Sequence, residues 1–370
     1  MSLNLAGVIL AAGLSRRMGR FKPLLTIGRR TLLARAVACL DQAGVHNLRV
    51  VTGHQADDLR PALEDLGLAE VHNPEYARDM YTSVRAGVAA LPEGIDAFFL
   101  LPVDIPLVRP ASLNHLRPAF AAARPALALP TFLGEPGHPP LIAADLIPAI
   151  LAWPGQGGLQ GLLERYADRT LAVPVADQGV LWDMDTPEDY THLQAVWERR
   201  RFPNQDETAA LLGAVQEAPA AVIAHGQAVA RVARELGEAL LAAGNPLDLE
   251  VLEAAALCHD LAKGQPDHAQ AGAAILRDWG WPLVAELVAR HVDIDPASQG
   301  PVGADEVLYL ADKLVEGDRP VDLDQRFAAK LARHGGEPGA AIAIQRRWDA
   351  ARAIRARIAA VCGGERAVAG

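Results

Sequence analysis

Two hydrophobic periods alternate along this sequence as far as Asp189, and past residue 207 only one of them survives. Short β-like apolar runs recur at residues 6–11, 47–51, 97–101, 126–130 and 170–175, and residues 31–43, 57–66, 82–90 and 112–122 between them carry helical spacing. This alternation predicts a layered α/β domain of Rossmann-like type, with a mostly parallel sheet and helices on both faces. Ligands of such folds collect at the carboxyl ends of strands, so the loop after 6–11 is the first place to look for a site. A helix expected from Glu188 runs into Glu198-Arg199-Arg200-Arg201 and then Pro203, which forbids a simple helical continuation. The remainder is alanine- and leucine-rich with helical periodicity, which predicts an all-α domain. The reading divides the chain into an α/β domain at 1–198, a linker at 199–207, a helical domain at 208–362 and a frayed tail at 363–370.

A chain of 370 residues, 51% of them apolar, has enough material for two cores. Cys39, Cys258 and Cys362 show no paired spacing, which argues against a disulfide framework or a cysteine zinc site and fits the reducing cytoplasm. The first residues lack a basic region ahead of their short apolar run, so no signal peptide is expected. No apolar run approaches the roughly 20 residues that span a bilayer, so no membrane association is expected either. The net charge of −10 argues against general binding of nucleic-acid phosphates. Its distribution is uneven: Met1 to Leu40 contains no acid, yet holds Arg16, Arg17, Arg20, Lys22, Arg29, Arg30 and Arg35. Such a stretch is either a solvated basic face or a place that holds an anion.

The segment Leu10-Ala-Ala-Gly-Leu-Ser-Arg-Arg-Met-Gly-Arg-Phe-Lys-Pro-Leu-Leu25 follows the first strand directly. Small residues at Ala11, Ala12 and Gly13 allow close backbone approach, and their N–H groups can point at phosphate oxygens. Arg17 and Lys22 add charge suited to β- and γ-phosphates. Asp104 ends an apolar run at a strand's carboxyl end, where a hard cation would find a carboxylate and substrate phosphates together. As an alternative, Asp104 is a turn former ahead of Pro106. Asp183 and Asp185 precede a helix beginning at Pro187, and Asp185 is expected to cap it.

These residues resemble the signature of the nucleotidyltransferases that attach a nucleotide to the molybdenum cofactor, over residues 4–197. Asn73-Pro74, Met80-Tyr-Thr-Ser-Val-Arg-Ala-Gly87, Leu101-Pro-Val-Asp-Ile-Pro106, Gly137-His-Pro-Pro140 and Asp183-Met-Asp-Thr-Pro-Glu-Asp189 extend the likeness. The resemblance implies nucleotide binding by Leu10, Ala11, Ala12, Gly13, Arg17, Lys22 and Ser83, with Mg²⁺ held by Asp104 and a second acid. Asp183 matches that acid best and Asp185 is the fallback. The implied reaction moves a nucleotidyl group from a nucleoside triphosphate to a phosphorylated acceptor. Leu-Ala-Ala-Gly resembles the cytidylyl members, which favours CTP and molybdopterin, with a molybdoenzyme or its chaperone as an implied partner. Gly155-Gln-Gly-Gly158 departs from the family's Gly-Asp-x-Gly, which bears on the acceptor. His138 falls near the acceptor by resemblance, or is a structural loop histidine.

In the second half His225, His259, Asp260, His268, His291 and Asp312 each fall on or beside an apolar helical stripe, so all are expected to face the interior. Leaving that many buried polar groups without partners would cost on the order of 1–3 kcal/mol each. Divalent Fe, Mn, Ni or Zn is their natural common partner, with Asp260 able to bridge two ions. The order of these residues, with Cys258-His-Asp-Leu-Ala-Lys-Gly264 and Tyr309-Leu-Ala-Asp-Lys-Leu-Val315, resembles the HD phosphohydrolase superfamily over residues 208–330. It implies hydrolysis of a phosphate ester or anhydride, with Lys263 neutralising a substrate phosphate; the alternative for Lys263 is a lysine at a helix C-terminus before Gly264. A guanylyl or sugar-1-phosphate transferase, with the helical domain a non-catalytic metal-stabilised module, is the alternative reading.

Overall fold

The computed structural model describes residues 3–216, 220–297 and 299–364. The chain divides into two units, Met1–Arg199 and Arg200–Gly370. The expected tail lies, from residue 365 onward, outside the described residues.

In the first unit, Leu5–Leu10 is buried along its whole length, as a central parallel strand must be. It pairs in parallel with Asn47–Thr52 on one side and Ala97–Pro102 on the other, with Leu10 level with Val51 and Pro102. The sheet runs Thr170–Pro174, Leu127–Phe132, Leu141–Ala143, Ala97–Pro102, Leu5–Leu10, Asn47–Thr52, Ala69–His72. Its pairs are parallel except around Leu141–Ala143, which is antiparallel to both neighbours, and at the short Glu135–Pro136, which pairs off Leu127–Phe132. Chain order leaves Leu5–Leu10 toward Asn47–Thr52 and later returns to its other side as Ala97–Pro102. The crevice beyond those two strands is therefore a topological switch point.

Helices cover both faces, and two glycines show how closely. A Cβ on Gly7 would lie 3.0 Å from Leu40 Cδ1, on the helix Leu32–Gln42. A Cβ on Gly87, in the helix Met80–Ala89, would lie 2.4 Å from Val8 Cγ1 and 2.8 Å from Val51 Cγ2. Residues 7 and 8 point to opposite faces, so the two helices sandwich the central strand. Thr31 and Asp79 cap these helices by accepting from Ala34 and Thr82 N–H. The helix Pro187–Arg199 is latched at its far end, where the Arg35 guanidinium lies 3.5 Å from the Trp197 ring centroid and donates to the Ile27 carbonyl. Burial, then the neighbouring Arg30, pushes Arg35 down to about 10.

Among the described residues the second unit consists of helices and one small hairpin, Val315–Glu316 against Arg319–Pro320. The stretch expected as linker already contains a helix start at Gln205, because Asn204 Oδ1 accepts from Glu207 N–H and the Glu207 carboxylate accepts from Asn204 N–H. Ala220–Ala242 packs close to Leu249–Cys258: a Cβ on Gly226 would lie 2.9 Å from the Leu257 carbonyl oxygen. Trp279, Trp281, Tyr309 and Phe327 fill the core. The helix Pro338–Cys362 is held by Asp293, which meets Arg346 and Arg347, and by Asp324, which meets Arg352 and Arg355. Hydrogen bonds from Arg347 hold the Asp293 carboxyl down at about 2. Among the described residues no helix is long and apolar enough to cross a membrane.

Because Gly87 leaves no room above Val8, Gly87→Val should destabilise the first unit by about 1–3 kcal/mol. Calorimetric melting should register a fall of about 2–4 °C for each kcal/mol in a unit of this size.

Candidate functional site

At the switch point of the first unit, the sheet's own hydrogen bonds set the geometry. Ala11 N–H donates to the Val51 carbonyl at 2.9 Å, and Val103 N–H to the Leu10 carbonyl at 3.0 Å. The Ala11 N–H is thus committed to the sheet edge, which corrects the expectation that it points at phosphate. Leu10, Ala12, Gly13, Lys22, Ser83 and Asp104 line a 300 Å³ cavity here. A Cβ on Gly13 would meet nothing within 4 Å, so the backbone there is open to a ligand. Ser83 is buried and accepts from Asn73 Nδ2 at 2.9 Å.

Lys22 begins the short turn Lys22–Leu24 and is only 8% exposed. Its ammonium donates to Asp104 Oδ2 at 3.1 Å and to Asp185 Oδ1 at 2.8 Å. Arg17, largely exposed, reaches the other Asp185 oxygen at 2.7 Å. Met184 N–H donates to the Asp104 carbonyl, which joins the late acidic segment to the strand end. Asp185 does not cap the following helix. Thr186 and Asp189 do so reciprocally: Asp189 Oδ2 accepts from Thr186 N–H, and Thr186 Oγ1 accepts from Asp189 N–H. Asp185 is thereby left for Lys22 and Arg17. Asp183 is exposed, and its charge, with that of Asp104, acts on His138.

A second cavity, of 840 Å³, adjoins the first, with Leu10, Asp79, Met80 and Pro102 lining both. Its walls are mainly apolar, and His138 reaches it from the loop after Glu135–Pro136. His138 is accessible from the cavity but enclosed by protein, and this desolvation lowers its pKa against the opposing pull of Asp104 and Asp183. The turn at 155–158 contributes its glycines, Gly155, Gly157 and Gly158, to the wall, while Gln156 is exposed.

In the second unit, the expected histidines and aspartates converge. His225 stands on Ala220–Ala242, whereas His259 and Asp260 follow the end of Leu249–Cys258 and His291 follows Pro282–Arg290. His225 Nδ1 lies 2.7 Å from the Gly317 carbonyl, His259 Nδ1 2.7 Å from that of Ala256, and His291 Nδ1 2.6 Å from that of Val288. A carbonyl only accepts, so each Nδ1 donates a proton; in the neutral rings of His259 and His291 Nε2 then turns a lone pair inward, while His225 Nε2 faces the Asp312 carboxylate. Asp260 Oδ2 lies 3.8 and 3.6 Å from the Nε2 atoms of His225 and His259, and Oδ1 lies 3.4 and 3.8 Å from those of His268 and His291. Asp312 Oδ1 is 3.3 Å from His225 Nε2 and 3.7 Å from His259 Nε2.

Two observations mark this cluster as a fit for divalent metal. His259 Nε2 is buried and has no hydrogen-bond partner. The Nε2 atoms of His268 and His291 are 3.2 Å apart, a spacing that suits two ligands of one ion and that a neutral His268 bridges by donating Nε2–H to His291. Two ligand groups result, His225–His259–Asp260 and Asp260–His268–His291, with Asp260 shared. Burial lowers His259, and burial with the neighbouring His259 takes His291 down to about 3, so both are held neutral. His225 is raised by its bond to Asp312. One expectation is corrected: His268 is half-buried rather than interior. It opens the helix His268–Asp278, whose buried stripe is Ala269, Gly272, Ala273 and Leu276, so the histidine sits at the edge of that stripe.

Lys263 pairs with Asp260, and Lys313 with Asp312 and the His291 carbonyl. A 420 Å³ cavity opens over the cluster, and Arg326, Lys330 and Arg347 also line it. Those three were not anticipated. The signal that could have found two of them is the like-charge i,i+4 spacing of Arg326 and Lys330 on one helix.

Residues 7–170 match the MobA-like NTP transferase domain, and residues 222–361 match the HD domain. Over 200 residues the chain is 30% identical to the purine catabolism protein PucB of Bacillus subtilis (strain 168), covering 50% of this chain and 94% of that one. The chain belongs to the MobA-like NTP transferases and carries an HD domain behind that part. It is also 28% identical over 187 residues to the molybdenum cofactor cytidylyltransferase of Escherichia coli (strain K12), covering 50% of this chain and 92% of the relative. The MobA-like part is thus a nucleotidyltransferase unit, and the HD domain is of the metal-dependent phosphohydrolase type.

If the HD cluster binds metal through Asp260 as the shared ligand, Asp260→Ala should remove both ions and His259→Ala should empty the His225 side first. Metal analysis of the purified full chain after Mn²⁺ loading would read this, and full metal content in both variants would contradict it.

Proposed function

We propose that the first unit transfers a nucleotidyl group from CTP to a phosphorylated acceptor of the molybdopterin class, and that the HD domain hydrolyses a phosphate ester or anhydride of a nucleotide. The observation that carries the first part is Lys22, nearly buried, held between Asp104 and Asp185 on the wall of the 300 Å³ cavity. A terminal phosphate of the acceptor attacks the α-phosphate in line, a new P–O bond forms, and the bond to the β-phosphate breaks to release pyrophosphate. Lys22 and Arg17 meet the negative charge of the leaving pyrophosphate, while Gly13 and Ala12 let the triphosphate lie against the backbone. The oxygen-only donors Asp104 and Asp183, with Asp185 next to Lys22, suit Mg²⁺, which would neutralise phosphate charge there. Ser83 and the strand end at Leu10 border the space where the nucleotide would sit.

The acceptor reading rests on the adjoining 840 Å³ cavity. Tyr81, Val84, Leu100, Leu127 and Leu129 in its wall offer few partners for the ring of hydroxyls that a sugar 1-phosphate carries. A flat ring system is better matched, and His138 lines this cavity within electrostatic reach of Asp104. CTP is favoured over GTP by the Leu10-Ala-Ala-Gly13 loop and by the likeness to a cytidylyltransferase.

In the HD domain, divalent Fe, Mn, Ni or Zn bound by His225, His259, Asp260, His268, His291 and Asp312 would lower the pKa of a bound water and polarise a phosphoryl oxygen. Water adds to phosphorus, the ester or anhydride P–O bond breaks, and the leaving oxygen takes up a proton. Lys263, beside Asp260 and half open to the cavity, is placed to meet a substrate phosphate.

Pyrophosphate release with molybdopterin should be at least about tenfold faster with CTP than with GTP, and Asp104→Asn should slow it by about 10–100-fold, the scale of losing a group that orders a metal. Turnover with GTP alone would refute the cytidylyl assignment. For the HD domain, phosphate release from nucleotides by the Mn²⁺-loaded full chain should vanish in His259→Ala and Asp260→Ala. Undiminished release in both would refute the hydrolase assignment.

A further inference from the structure

The cavity over the HD cluster holds more positive charge than the cluster itself uses. Five cations line it: Lys263, Lys313, Arg326, Lys330 and Arg347. Three are matched by carboxylates, Lys263 by Asp260, Lys313 by Asp312 and Arg347 by Asp293. Arg326 and Lys330 are not. Among the described residues no carboxylate lies within ion-pair distance of either. Arg326 spends one guanidinium nitrogen on the backbone carbonyls of Asp312 and Val315, both at 2.6 Å, and its Nε is buried with no partner. Lys330 holds its ammonium 5.8 Å from the Phe327 ring and feels the Asp312 and Glu316 charges only at longer range.

These two residues stand four apart on the helix Leu323–His334, so their side chains are neighbours. Like charges at that spacing destabilise a helix, and turning both into a partly desolvated cavity adds to the cost. Burial, then Arg326 and Lys313, push the Lys330 ammonium below its ordinary range. An anion lying between them would remove the repulsion and give Arg326 a charge partner. The pair also stands on a different element from Lys263, although it shares the cavity. Lys263 pairs with Asp260 at the shared centre of the ligand cluster, whereas Arg326 and Lys330 belong to the helix that follows the hairpin 315–320 in the chain. Val222, Phe327 and Ile344 supply apolar wall in the same cavity, so the ligand has an organic body as well as charge.

We propose that the HD cavity takes a nucleotide bearing at least two phosphoryl groups, one at the metal cluster and the other held by Arg326 and Lys330. The proposal rests on the hydrolase reading for which phosphoryl group is cleaved, and on the unmatched cations for the second one. Arg326 also fastens the backbone at Asp312, so Lys330 is the residue to vary.

The test uses the Mn²⁺-loaded full chain with CMP, CDP and cytidine 3′,5′-bisphosphate, measuring kcat/KM for phosphate release and, by calorimetry, Kd for each. Wild-type protein should prefer one of the doubly phosphorylated compounds over CMP by about tenfold or more, the scale of one charge-assisted contact. Lys330→Gln should reduce that ratio to within about twofold of unity. Lys330→Arg, which keeps the charge, should largely restore it. A wild-type ratio near one, or a ratio that survives Lys330→Gln, overturns the proposal. If none of the three compounds is hydrolysed, the hydrolase reading fails by itself. The ratio of dissociation constants and its collapse in Lys330→Gln then still decide whether the second anion subsite exists.

Discussion

An ammonium group that is nearly out of water costs several kcal/mol unless carboxylates meet it, and Lys22 is such a group. Asp104 and Asp185 meet it from distant parts of the chain, one at a strand end and one ahead of the last helix of the unit. Bringing them together requires the sheet register that sets Leu10 level with Pro102 and the bond from Met184 N–H to the Asp104 carbonyl. It also requires the helix Pro187–Arg199 to stay in place. That helix is anchored at its other end by Trp197 against Arg35, where Gly28 leaves room because any Cβ would lie 2.4 Å from the indole nitrogen. The first unit's architecture can be followed outward from this one matched charge.

Much of the first unit was legible because hydrophobic period reports burial. The strands near residues 5–10, 47–52, 97–102, 127–132 and 170–174 all gave apolar runs. Ala69–His72 did not, since it is a sheet edge with no buried residue. Leu141–Ala143 is buried but too short to show alternation, and its antiparallel direction depends on partners remote in sequence. The loop at 10–13 was recognisable, yet its first N–H is taken by Val51, a neighbour no local pattern names. The capping roles at 185–189 were misread for a related reason. Several acids there could serve, and only the reciprocal bond with Thr186 selects Asp189.

In the second unit the ligand residues were legible because histidine and aspartate on apolar stripes stand out against an alanine-rich background. Their orientation was not. The Gly317 carbonyl that fixes the His225 ring comes from the tip of a two-residue-strand hairpin, which has no period to detect. The stripe of His268–Asp278 was phased from its first residue, where the side chain is least constrained by the turns that follow. Arg326 and Lys330 were passed over because charged residues on a helix are ordinarily solvated, and only the cavity makes their pairing unusual.

The proton placement on the histidines has a consequence for the unit's lifetime. Three rings spend Nδ1 on carbonyls, and the buried Nε2 of His259 is left with no hydrogen-bond partner. Without metal, this interior keeps polar atoms stripped of water and unmatched, and a bound ion contributes its affinity directly to the folded state. The second unit's resistance to unfolding should therefore follow metal supply, which makes its persistence a running record of the metal available around it.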